Sequence, residues 1–268
     1  MDVAETAPAN SESGKPRLTI WGLAEPVLLV AALLAIWEAC ARAGLVAPYI
    51  LPAPSRIVAT LISRFDVIWP EALYTGGEIL GGFAYGAAAG ACMALLMAAS
   101  PRVARALGPL LVVAQALPVF AIAPMLVIWF GLGIAPKLFM AALIIFFPVA
   151  TSFFDGLRRT DPGLVDLARL NHAPPLTVLR IIRLPAALPQ LMVGLRVAAA
   201  VAPLGAIVGE WVGGANGLGL LMLHANARTQ TDMVFACLVI LVALSLLFWA
   251  LVGLITRRIL PWAPVSLY

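Results

Sequence analysis

The chain has 268 residues, 63% of them hydrophobic and only 11% charged, with a formal net charge of +4. A soluble domain carries about 25% charged residues, so there is too little charge here to cover a water-facing surface, and the composition specifies an integral membrane protein. It also removes nucleic acid from the expected partners and makes the lipid bilayer one, because in a membrane protein the basic residues set topology by where they lie.

Residues 1–18 are polar and lack the basic start and apolar core of a cleavable signal. They read as a disordered cytoplasmic tail ahead of one transmembrane domain, 19–268. A spanning helix needs about 20 mostly apolar residues, and six such stretches occur. The first covers 21–43, with Glu25 and Glu38 near its ends. A connection over 44–76 follows, containing "ILPAPSRIVATLISRF". There Pro54 can open a short interfacial helix with Ile57, Val58, Leu61, Ile62 and Phe65 on one face. The second span covers 77–99, uncharged after Glu78. The third lies within 106–136, which has no charged side chain, and the fourth covers 138–156, entered after Lys137. The fifth, 187–212, contains Arg196 and Glu210, and the sixth covers 232–256. With both termini in the cytoplasm, 11 Lys and Arg residues fall inside and 5 outside, which fixes that orientation. No internal repeat is present, so two-fold symmetry has to come from pairing of two chains. Cys40, Cys92 and Cys237 lie far apart without metal or redox spacing and read as small buried hydrophobes.

The largest inside connection, 157–186, carries "DPGLVDLARLNHAPPLTVLRIIRLP". Leu164, Leu167, Ala168 and Asn171 fall at helical spacing. A break follows at "HAPP", where Pro174 and Pro175 can occupy a first turn but not a helix interior. A second short helix then runs from Leu176 to Arg183, and Pro185 marks the change into the fifth span. The expectation is a compact knob with an apolar stripe and a basic rim. That form suits either docking of another protein or an amphipathic loop on anionic headgroups.

This connection resembles the EAA loop of ABC-importer permeases. Asp166, Leu167 and Ala168 stand at its Glu-Ala-Ala positions, and Leu184 and Pro185 at its closing Leu-Pro pair, without a gap. His172 replaces the usual glycine, so Asn171 or His172 has to take the turn's positive φ. "ILPAPSRIV", "ALPVFAIAPMLVIWFGLG", "FFPVATSFFDGLR" and "GEWVGGANGLGLLM" are similar, in order, to the permeases for aliphatic sulfonates, taurine, nitrate and thiamine precursors. The resemblance implies a type I ABC-importer permease fold, all-α with six transmembrane helices and short coupling helices between the fourth and fifth. It implies a homodimer of permeases, a cytoplasmic ABC ATPase dimer and an extracytoplasmic solute-binding protein. It places the whole in the bacterial inner membrane. Coupling to the ATPase is then expected of Asp166, Leu167, Ala168, Asn171, His172, Ala173, Leu176, Leu184 and Pro185. No Walker glycine-lysine loop occurs here, so no cofactor is expected on this chain, and ATP with Mg belongs to the partner.

For the substrate path the candidates are Glu210, Trp211, Pro118, Pro124 and Glu78. An intramembrane carboxylate faces a cavity or a partner. Glu210 therefore either lines the path or makes a structural contact, and Glu78 either joins it or sits at the outer headgroup level. Arg196 lies about 21 Å from Glu210 along one helix, too far to pair with it. Pro118 and Pro124 fit a kinked pore-side helix or a simple packing kink. The polar stretch 221–236, with His224, Asn226, Arg228, Gln230 and Asp232, is expected as an outer loop that caps the pore or meets the binding protein. Its wording is closest to the thiamine-precursor pyrimidine branch, with sulfonate, taurine or nitrate as the alternative substrates. A stand-alone secondary transporter or channel would show repeats or a mid-membrane ionisable relay. A membrane enzyme would show clustered His, Asp or Cys, and the chain has two histidines in all.

Overall fold

A computed structural model describes residues 20–262, which form helices joined by turns and short connections. The tail expected over 1–18 lies outside the described residues. The chain divides into two compact units at Ser55 and Arg56. In the first, helix α1 (Ile20–Arg42) matches the bounds of the first expected span. Its Glu38 pairs with Arg42 and accepts from the Ser55 N–H at 3.0 Å and the Ser55 hydroxyl at 2.7 Å. These bonds satisfy an otherwise free N–H in the first turn of the next helix.

Helix α2 (Pro54–Ser63) is the short helix expected after Pro54, although only Ile57 of its apolar face is buried. The second unit continues through α3 (Phe65–Ala99), α4 (Pro101–Gln115), α5 (Val119–Phe130) and α6 (Ile134–Arg158). It ends with α7 (Pro162–Leu170), α8 (Pro175–Val178), a π-helical turn (Leu179–Arg183), α9 (Leu184–Gly213), α10 (Leu218–Ala227) and α11 (Thr231–Ile259). Among the described residues, four helical stretches are long and apolar enough to cross a bilayer, or five if α4 and α5 count as one. α1, 23 residues long, covers the first expected span beside these.

Three boundaries differ from the sequence reading. The second span begins at Phe65 rather than 77, because Pro70 sits in the second turn and forfeits only the bond to Asp66. The third is no kinked helix. α4 and α5 meet at 100°. α4 closes with tight bonds from the Ala116 and Leu117 N–H groups to Val113 and Ala114, and Pro118 takes an extended conformation that restarts the chain in a new direction. The stretch 221–236 is no loop: α10 and α11 occupy most of it, joined by a turn in which Thr229 adopts φ 55°. The three cysteines are free as expected, but Cys92 is exposed and only Cys237 is buried.

The core is built around α6, held between α3 and α9. Both partners turn small residues toward it. A Cβ on Gly86 of α3 would lie 2.6 Å from the Ala142 carbonyl oxygen, and one on Gly205 of α9 would lie 2.7 Å from the Ala141 Cα. Gly82, Gly90, Gly194 and Gly209 make similar approaches. Backbones this close gain dispersion contacts along the whole crossing, which is how helices associate where lipid supplies no hydrophobic drive. Ile79, Ile145, Val149, Ala198 and Ala202 fill the centre, and Phe248 of α11 meets Phe83 of α3 edge to face at 5.0 Å.

Candidate functional site

The segment from Asp161 to Pro185 forms one end of the bundle. The Asp161 side chain caps α7 by accepting from the Gly163 N–H at 2.8 Å, and Pro162 fills the first helical position. Val165 turns inward, while Leu164, Leu167 and Leu170 are 50, 58 and 78% exposed. Leu176 and Ile181 extend this apolar surface, and Arg169 and Arg180 lie exposed beside it. Asp166 pairs with Arg169 at 3.1 Å, an exposed contact that contributes little stability.

The turn after α7 settles which residue replaces the glycine. The His172 N–H bonds to the Arg169 carbonyl at 2.9 Å, and the Ala173 N–H reaches back to Ala168 at 3.0 Å. This crossed pair is a Schellman ending, whose penultimate residue must be left-handed. That residue is His172, at φ 53°, whereas Asn171 stays at −85° and spends its side-chain amide on the Leu167 carbonyl at 2.9 Å.

The second half differs from expectation. The short helix expected over 176–183 does not end at Pro185. It runs on as a single helical stretch, Pro175–Gly213, 39 residues long. Pro185 has no N–H, and its ring would crowd the carbonyl one turn back. The π-helical turn just before it, closed by the Leu184 N–H on the Leu179 carbonyl, widens the helix there and removes the conflict. A cavity of about 590 Å³ lies behind this corner, lined by Val165, Ala173, Pro174, Leu176 and Leu179 together with Ala98 at the end of α3. The structure thus brings Asp166 through Leu176 together at the tip and sets Leu184 and Pro185 at the base.

The opposite end of α6 holds a second cluster. Lys137, read from sequence as a connection residue, lies inside α6 and donates to Glu78 at 2.6 Å and to the Asn216 carbonyl at 2.8 Å. Both side chains of the pair are about 95% buried, at 5 and 4% exposure. Glu78 is therefore enclosed within the bundle. Glu210, fully buried, accepts from the Thr75 hydroxyl at 2.6 Å and from the Gly219 N–H. Thr75 in turn accepts from the Leu218 N–H at 2.8 Å, and Glu71 accepts from the Gly217 N–H. The Gly217, Leu218 and Gly219 N–H groups of the glycine-rich turn 214–219 are thus collected by side chains of α3 and α9. Gly217 is required there twice over, since its φ is 122° and a Cβ would collide with the Glu210 carboxylate. Arg196 makes no part of this cluster and stacks on Trp249 of α11, 4.6 Å from the ring centroid. Glu71, Thr75 and Lys137 are the members that sequence reasoning missed. The signal available was two ionisable residues, Glu71 and Lys137, set at the edges of apolar runs.

The remaining path candidates separate. Pro118 and Trp211 line an apolar cleft of about 580 Å³ between α5, α6 and α9. Pro124 lies on the exposed face of α5, away from it.

Residues 86–261 match the family model described as the binding-protein-dependent transport system inner membrane component. A probable ABC transporter permease of Haemophilus influenzae is 46% identical, over 88% of this chain and 96% of its own length. The formylaminopyrimidine transport permease of Halalkalibacterium halodurans is 35% identical, over 89% of this chain and 95% of its own length. Among solved structures, an amino acid ABC transporter crystallised with histidines superposes with a TM-score of 0.60 at 18% identity, covering 75% of this chain and 97% of that one. That likeness concerns the fold.

Proposed function

The chain belongs to the family of binding-protein-dependent transport system inner membrane components, and from that premise we propose that it works as one of two identical permease subunits of an ATP-driven importer. Two copies form the pore, with both termini in the cytoplasm of a bacterial cell. A binding protein delivers a small solute on the opposite side. The tip formed by Asp166, Leu167, Ala168, Asn171, His172, Ala173 and Leu176 seats on a cytoplasmic ATPase dimer that binds ATP and Mg, with Leu184 and Pro185 as its base.

The observation that carries this reading is the exposed leucine stripe of α7 at the tip of a helix that continues without interruption through α9. Apolar side chains so exposed at a bundle's end, outside its lipid-facing length, mark a protein contact. The decisive experiment is co-purification with the cognate ABC ATPase. Asp166→Arg and Ala168→Arg should abolish capture of the ATPase while membrane insertion and yield stay normal. Retention of the ATPase by both variants would refute the docking role.

For the solute, the reading is a thiamine-precursor pyrimidine, supported by the relative named for formylaminopyrimidine transport. An aliphatic sulfonate is the alternative that the sequence motifs also fit. Stabilisation of the cognate binding protein by sulfonates alone, in a thermal-shift panel, would overturn the pyrimidine assignment.

A further inference from the structure

The cleft between α5, α6 and α9 is within the size range of a small-molecule site, at about 580 Å³. Its wall carries no ionisable side chain, being built from residues such as Pro118, Phe120, Val201, Leu204, Val208 and Trp211. Two aromatic rings stand in it, Phe120 at 63% and Trp211 at 46% exposure. The Trp211 indole N–H is already donated to the Gly219 carbonyl at 2.9 Å. That bond pins the side chain and leaves its ring, not its donor, to the cleft.

The charges near this part of the molecule are all engaged elsewhere. Arg196, on α9 beside the cleft residue Val197, is stacked on Trp249 of α11. Lys137 is held by Glu78 and the Asn216 carbonyl, and Glu210 by the Thr75 hydroxyl and the Gly219 N–H, inside the bundle. Pro118, at the start of α5, has no N–H to offer an anion. An anion moving along such a wall sheds its hydration and finds neither a cation nor a donor to replace it. A flat uncharged ring loses little hydration and gains stacking on Phe120 and Trp211.

We propose that this cleft is a wall of the solute passage and selects an uncharged, planar-ring solute over an anionic one, with Phe120 and Trp211 as the contact rings. The inference rests on the permease reading above and deepens it by assigning the charge class of the solute to residues of this chain. Leu204, 60% exposed within the cleft, is the position at which the charge of the passing solute can be read.

The test uses cells that express the complete system of permease, ATPase and binding protein and have no other uptake route for the probes. Labelled formylaminopyrimidine and labelled butanesulfonate are supplied separately. The wild type should import the pyrimidine. Leu204→Arg and Leu204→Asp should each lower that import by about tenfold or more, because a fixed charge of either sign drags water into the wall. Trp211→Leu should lower it similarly and Trp211→Phe should retain most of it. All variants should still co-purify with the ATPase.

The proposal is overturned if butanesulfonate is imported and Leu204→Arg preserves that import while Leu204→Asp abolishes it. It is equally overturned if neither charge at Leu204 affects import, or if both charges split the permease pair, which would make the cleft a contact between copies. Import of neither probe by a complex that still holds its ATPase also counts against it. Failure of the wild type to hold an ATPase at all would instead sink the permease reading.

Discussion

Replacing Lys137 by methionine removes the single cation of the buried cluster and keeps the shape of its stem. Glu78 is then left 4% exposed with no partner for Oε1, and its Oε2 already lacks one. The neighbouring Glu210 carboxylate adds repulsion. Breaking a buried ion pair by deleting one partner costs about 3–5 kcal/mol. Loss of the bond from Lys137 to the Asn216 carbonyl adds about 1 kcal/mol. Against a total stability of about 5–15 kcal/mol, this variant should sit near the edge of folding. The double change Lys137→Met with Glu78→Met removes both charges together. It should return to within about 1–2 kcal/mol of the wild type, since an apolar pair of like volume replaces a buried ion pair at little cost. The assay is reversible unfolding in mixed micelles across the four corners of the cycle, with Asp166→Ala as an exposed-pair control expected to change stability by less than about 1 kcal/mol. If Lys137→Met is no worse than that control, or if the double change is as damaging as the sum of the singles, the pair is solvated and does not behave as a buried ion pair.

Two further outcomes are expected. Gly86→Val should loosen the α3–α6 crossing, because its Cβ would already press on the Ala142 carbonyl at 2.6 Å and on the Ile145 Cβ at 2.8 Å; overpacking of this kind costs about 1–3 kcal/mol and should show as a lower melting temperature in detergent. His172→Gly should raise stability by up to about 1 kcal/mol by relieving the left-handed strain at φ 53°, while His172→Val should lower it, both read by the same melts.

What the sequence disclosed and what it withheld follow from range. The Schellman turn at His172 is encoded within six residues and was legible as a glycine position filled by something else. The seam of α3 went unread, although "GGFAYGAAAG" places Gly82, Gly86 and Gly90 every fourth residue. The Lys137–Glu78 pair joins residues 59 apart in sequence, and charges near the ends of apolar runs look alike whether they face water or each other. The break between α4 and α5 was half visible: Pro118 announced a disruption, but an angle of 100° depends on what the two halves pack against. Pro185 misled for a related reason. Proline predicts a lost bond, and the chain met that loss with a wider turn instead of an end.

The continuity at Pro185 ties three parts of the molecule together. The helical stretch Pro175–Gly213 is about 58 Å long at the usual helical rise. Its first turns belong to the exposed tip, its middle carries Val197, Val201 and Leu204 along the cleft, and its last turn carries Glu210 in the polar cluster. Tip, cleft and cluster therefore share one rod. Along most of its length that rod meets α6 through glycine and alanine, which offer few side-chain knobs to resist sliding or tilting. The least regular section is the π-helical turn Leu179–Arg183, beside the 590 Å³ cavity at the tip. A push on the tip is thus either absorbed at that turn, with the cavity taking up the displacement, or delivered whole to Glu210 and the turn it holds. On the docking role proposed above, the outcome turns on the stiffness of that π-helical turn, the "LRIIR" that leads into α9.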